Sequence, residues 1–172
     1  MISRPTPDEY AQFYSGYVAR VPEGGDVLGL LQRQPQTLAD LLKGTSNEQA
    51  AQRPAPNEWS IKEVIGHLND SERIFGYRAL RFSRRDPAPL PGFEQDDYVR
   101  EGSANSWTLG DLLEEFAHLR AANVLLFKHL PEDRLMLLGE ASRYNVSVRA
   151  LVYITAGHVE HHLESLRTVY LK

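Results

Sequence analysis

The sequence predicts an all-α fold: a four-helix bundle with long connections and a short N-terminal helical segment. Three observations lead there. Four long stretches of the 172 residues carry apolar side chains at helical spacing, sustained period-two alternation is scarce, and each long stretch opens near a residue suited to cap a helix. The length is that of one domain, so residues 1–172 are expected to form a single unit.

The segment from Tyr10 to Val21 is rich in aromatics (Tyr10, Phe13, Tyr14, Tyr17) and is expected to form a short helix across the body, ended by Pro22-Glu23-Gly24-Gly25. Asp26 can cap the first long helix, from about Val27 to Leu42, with Leu30, Leu31, Leu38, Leu41 and Leu42 apolar. Pro35 lies inside it, which predicts a kink or break. Gly44-Thr45-Ser46 ends this helix, and Arg53 to Asn57 form a loop leading to Trp59.

The second long helix starts near Ser60, with Glu63 at capping-box spacing, and runs to about Arg84 on a stripe that includes Ile61, Ile65, Leu68, Phe75 and Phe82. The proline-rich stretch from Asp86 to Gly92 forbids helix, and an extended loop is expected to about Ser106. Loops of that length inside compact domains often form part of a site. Thr108 with Asp111 opens the third helix, which carries Leu112, Phe116 and Phe127 and stops at Pro131. An irregular stretch to about Val146 precedes Ser147, the expected cap of a fourth helix reaching about Tyr170. The connections allow topologies other than simple up-and-down.

Composition excludes several classes. The net charge is −4 with no cluster of Lys or Arg, against a nucleic-acid partner. No run approaches the apolar length of a membrane span, and the N-terminus has no signal-peptide core, so the expected location is the cytoplasm. Cysteine is absent, so a metal would sit on His, Asp or Glu, and any thiol chemistry would use a thiol from outside.

Three of the six histidines crowd into Gly157-His158-Val159-Glu160-His161-His162. Residues four apart on a helix share a face, so His158 and His162 can approach one ion. At about 100° per residue, His162 lies roughly 30° from the centre of the apolar stripe, His158 roughly 70°, and His161 roughly 130°, facing solvent. The other reading of His162 is a core histidine bonded to a carbonyl or carboxylate. His67, on the second helix at the boundary of its apolar stripe, supplies a third candidate, and three neutral histidines with an open position suit a catalytic divalent metal.

Asp70 and Ser71 follow at i+3 and i+4 and either orient ligands or a water, or are simply solvated. Glu72 lies inside the stripe and is expected to pair with an arginine, since an unpaired buried charge is costly. Arg120 and Asn123 interrupt the third helix's stripe and either hold an anionic substrate group near the metal or serve as Glu72's partners. His118 and His129 are expected at the surface. Sharper motifs fail: the last helix is not H-E-x-x-H, Glu115-x-x-His118 has no second copy, and Walker, G-x-G-x-x-G and G-x-S-x-G signatures are missing.

The run from Trp59 to Asp70 and the run from Gly157 to His162 together resemble the DinB/YfiT-like superfamily, as do Asp70-x-Glu72-Arg73 and Leu90-Pro91-Gly92-Phe93. The resemblance covers the chain from about Asp8 onward. It implies a four-helix bundle with one divalent metal ion, zinc or nickel, on His67, His158 and His162, and a homodimer. Its members include thiol-dependent S-transferases, an isomerase, proteins described as metal-dependent hydrolases, and others without known activity. The expected function is therefore a divalent-metal-dependent enzyme acting on a small molecule. A low-molecular-weight-thiol S-transferase leads, with a thiol cosubstrate and a small electrophile. A hydrolase using metal-bound hydroxide, and a non-catalytic metal-binding stress-response protein, are the alternatives. Asp70 and Arg120 are the candidate catalytic residues.

Overall fold

The computed structural model describes residues 1–171. Eight helices and one hairpin follow in order: α1 (Ser15–Arg20), α2 (Val27–Leu41), α3 (Asn47–Ala50), α4 (Ile61–Ser83), α5 (Gln95–Glu101), α6 (Leu109–Lys128), α7 (Glu132–Leu135), β1 (Leu138–Ala141), β2 (Tyr144–Ser147) and α8 (Val148–Ser165). A π-helical turn, Leu166–Tyr170, extends α8. The long helices α2, α4, α6 and α8 form the four-helix bundle. Each of α2 and α4 packs on both α6 and α8, so the order around the bundle is α2, α6, α4, α8. Among the described residues no helix is long and apolar enough to cross a membrane.

Helix direction follows from the two halves of the core. One cluster joins the first halves of α2 and α8 (Val27, Leu31, Leu151, Ile154) to the second halves of α4 and α6 (Phe75, Phe82, Val124, Phe127). The other joins the remaining halves, with Leu38, Ile65, Phe116 and Leu163 among its members. Hence α2 and α8 run one way and α4 and α6 the other. Since α4 and α6 are parallel, the chain between them must travel back along the bundle. A 23-residue helix is about 34 Å long, which is why the connection from Arg84 to Thr108 is long.

Between the two apolar clusters lies a polar layer. Arg120, 1% exposed, donates to Glu72, 2% exposed, and to Gln34 Oε1. Asn123 donates to Glu72 Oε2 at 2.8 Å, and Gln34 donates to the Ala156 carbonyl at 2.8 Å. The expected pairing of Glu72 with an arginine is present. This layer also explains why α2 is not broken at Pro35: the missing N–H would have served the Leu31 carbonyl, and Arg120 donates to that oxygen instead, at 3.2 Å.

Two expected loops hold regular structure. The proline-rich segment stays extended only to about Glu94, then forms α5, whose first turn carries Asp96 and Asp97 where the helix dipole favours negative charge. The stretch before Val146 contains α7 and the β1–β2 hairpin. Ser142 and Arg143, at the turn, both have positive φ, 55° and 71°. Two four-residue strands are too short to show alternation, and this turn lacks the Asn-Gly or Asp-Gly that advertises its geometry. Leu90 pairs with the hairpin through its N–H and carbonyl, which ties the long connection down.

The N-terminal segment is anchored at Glu9. Its carboxylate accepts from Arg149, from Ser147 Oγ at 2.6 Å, and from the Thr6 N–H at 2.9 Å. Burial alone would raise this carboxyl, but the hydrogen bonds from Arg149, Ser147 and Thr6 outweigh it and hold it down to about 2. With the folded value below the unfolded one, the stabilisation is fully present above the unfolded value near 4.5 and is lost as pH falls through about 2. Glu9→Gln is therefore expected to remove up to about 3 kcal/mol at neutral pH, with the gap to wild type closing as urea titrations are taken towards pH 2. A gap that does not change with pH would contradict this account.

Candidate metal centre

α4 and α8 are neighbours, and His67 on the first meets His158 and His162 on the second. His67 Nε2 lies 3.0 Å from His158 Nε2, which lies 3.2 Å from His162 Nε2. All three rings are buried, and one ligand nitrogen from each falls within 4.8 Å of the others. His67, placed at a boundary by periodicity alone, is turned fully inward because α8 covers that side of α4.

Local chemistry sets the approach. Ser60 and Glu63 form a capping box that starts α4 about two turns ahead of His67. Gly157 lets α1 cross α8 at close range: a Cβ there would stand 1.8 Å from the Tyr17 carbonyl oxygen. The Tyr17 ring then packs edge-on to His158 at 5.3 Å between centroids, and Trp59 covers His67 at 4.9 Å.

Burial pushes all three imidazoles towards the neutral form. His67 is lowered to about 4 by burial and then by the nearby His161. His158 is lowered by burial, by its neighbouring histidines and by the Arg120 charge; His162 is lowered by burial, then by His67 and His161. Neutral imidazole is the ligand form.

The donor set fits a divalent ion. A neutral His158 Nε2 either donates one proton or offers one lone pair, so it cannot make ordinary hydrogen bonds to both neighbouring nitrogens. A shared cation resolves that conflict. Nitrogens bound at about 2.0–2.1 Å to one tetrahedral ion stand about 3.3 Å apart, close to the separations found. His67 Nδ1 is buried without a partner among the described residues.

His161 stays out of the trio, as the helical angles require, but it is half-buried against Tyr17 rather than fully in solvent. Asp70 is also half-buried. Its carboxyl is raised by burial, with Glu115 adding and Arg73 opposing, and it makes no hydrogen bond to the three histidines. Arg120 lies in the polar layer as Glu72's partner. Ser71 Oγ is buried with no hydrogen-bond partner among the described residues.

Cavities reach the trio from three sides. One of about 530 Å³ meets His67 and His158 between Tyr14, Tyr17, Phe75 and Phe93, with Ser71 and Arg78 in its wall. One of about 300 Å³ reaches His162 beside Trp59 and Tyr170, and one of about 270 Å³ reaches His67 beside Asp70 and Trp107. Gln95 and Asp96, in the first turn of α5, border two of them. The long connection is thus part of the site's wall, as its length suggested. Arg78, Tyr17 and Phe93 were not legible as site residues in the sequence, because an aromatic or an arginine on a helix face is ordinarily packing or surface.

The chain matches no curated protein. A solved structure, described as "YfiT from Bacillus subtilis is a probable metal-dependent hydrolase with an unusual four-helix bundle topology", is similar with a TM-score of 0.74 and 12% identity, over 97% of this chain and 91% of that one. At that identity the likeness carries the fold alone. The family model of the DinB superfamily matches residues 30–166, from α2 to the end of α8. By that match over most of its length, this chain belongs to the DinB superfamily.

Proposed function

We propose that the chain is a divalent-metal-dependent enzyme, with the ion on His67, His158 and His162, that transfers a low-molecular-weight thiol to a small electrophile. The supporting observation is the convergence of three buried imidazole nitrogens beside an aromatic-walled cavity. When bound, such an ion supplies Lewis acidity that lowers the pKa of a coordinated thiol or water; zinc or nickel suits an all-imidazole set.

The protein's own residues do the rest. Burial keeps the imidazoles unprotonated, so ligand capacity survives well below neutral pH. Trp59 and Tyr17 fix the rings of His67 and His158 and shield them from water. Tyr14, Phe75 and Phe93 offer an apolar surface for the electrophile. Two carboxylates, Glu94 and Asp96, line the larger cavity, and both are exposed. A thiol delivered as thiolate needs no protein base. A thiol-using enzyme also belongs where small thiols stay reduced, the cytoplasm. The second reading is hydrolysis, favoured by the description of YfiT.

A turnover screen separates them. Metal-loaded protein is incubated with an electrophilic chloroarene and separately with aryl esters and amides, each with and without added thiol. Thiol-dependent loss of the chloroarene, reduced tenfold or more by His158→Ala, is the expected result. Thiol-independent ester cleavage would transfer the assignment to hydrolysis. Silence with every substrate would leave a metal-binding protein without catalysis.

A further inference from the structure

Arg78 is 3% exposed, yet among the described residues it has no carboxylate at ion-pair distance. Its Nη2 donates to two neutral oxygens, the Pro91 carbonyl and Ser142 Oγ, each at 3.0 Å, and its other neighbour in this wall is the Tyr14 hydroxyl, also neutral. A buried guanidinium without a counter-charge is costly and is retained where something supplies that charge. Arg78 lines the same cavity as His67 and His158. On α4, residues 67, 71 and 78 fall within about 40° of one another at 100° per residue, so one helix face carries a proposed metal ligand, the unpartnered Ser71 Oγ and the unpaired cation. That hydroxyl is 2% exposed, stands in the cavity wall and has no hydrogen-bond partner among the described residues. The carboxylates in this wall, Glu94 and Asp96, are solvent-exposed and therefore screened.

We infer that Arg78 is a specificity determinant: it binds a carboxylate on the substrate, whose apolar body lies along the aromatic wall with its reactive end at the three histidines. A planar guanidinium matches a carboxylate in shape as well as charge. Eleven residues of helix separate the Cα atoms of His67 and Arg78 by about 16 Å, so a body of at least one ring is needed between anion and reaction centre. Tyr14, Tyr17, Phe75 and Phe93 suit such a body. The substrate class is thus a small carboxylic acid with an aromatic or comparably apolar spacer. This rests on the proposed function for the location of the reactive end, but the anion subsite itself rests on Arg78 alone.

The test is binding of 3-phenylpropionate against its neutral analogue 3-phenylpropionamide, followed by protein NMR shifts on the purified protein, with metal content and thermal midpoint recorded for every variant. The carboxylate should bind at least about tenfold more tightly than the amide. Arg78→Gln should abolish that preference. Arg78→Lys, which keeps the charge and guards against a Gln variant that fails to fold, should retain it in reduced form. His162→Ala, which removes a proposed metal ligand and leaves Arg78 in place, should preserve it. Equal affinity of wild type for the two probes would overturn the inference. So would a preference that survives Arg78→Gln but disappears with His162→Ala, since the carboxylate would then be sitting on the ion. An Arg78-dependent preference in protein that binds no metal would sustain the subsite and remove the proposed function instead.

Discussion

His162→Ala is expected to lower bound divalent metal from about one ion per chain to below about a tenth, whereas His161→Ala leaves it near the wild-type level. The side chains are adjacent in sequence and alike in chemistry, so only geometry separates them. His162 Nε2 faces His158 Nε2 at 3.2 Å, while His161 lies outside the trio against Tyr17. Removing an outer-shell partner commonly costs 10–100-fold in metal affinity, and removing one of the three proposed direct ligands is expected to cost at least that much. Elemental analysis of protein dialysed against a mild chelator measures it. Equal metal content in the two variants, whether high or low, would defeat the assignment of His162.

The second large effect is on stability. Arg120→Met alone is expected to cost about 3–5 kcal/mol in urea unfolding. It leaves the Glu72 carboxylate, 2% exposed, without its cation and takes the donors from Gln34 and from the Leu31 carbonyl freed by Pro35. A loss of that size is a large part of the stability of a domain this long. Replacing Glu72 by Met as well should restore much of it, because the remaining group is no longer an isolated buried charge. The coupling in the double-mutant cycle is the decisive quantity. If the two losses simply add, Glu72 and Arg120 do not act as a pair in solution. A role of Arg120 in gripping substrate would leave stability almost untouched.

Sequence reached these two predictions unequally. The pair was legible because a four-residue spacing puts His158 and His162 on one face of a helix, a local property, whereas His67, on the edge of its stripe, joined them only through their company and the family resemblance. The need for a partner at Glu72 was legible for the same kind of reason: its angle placed a charge in an apolar stripe. The choice of Arg120 as that partner was not, since both readings of Arg120 satisfy the same periodicity. Nor was Arg78, which is buried without a carboxylate at ion-pair distance among the described residues only once Pro91 and the hairpin turn at Ser142 close over it.

What the sequence by itself determined was local: helices at caps and apolar stripes, the ends imposed by Gly and Pro, and the faces on which each histidine stands. Each depends on residues within one or two turns. Tertiary structure decided what depends on distant groups. Parallel α4 and α6 oblige the proline-rich connection to return along the bundle and wall the cavity. The neighbourhood of α4 and α8 turns His67 inward, and a guanidinium from α6 keeps α2 whole at Pro35. Burial and unmet hydrogen-bonding capacity are properties of surroundings, so they become visible only when the chain has closed on itself.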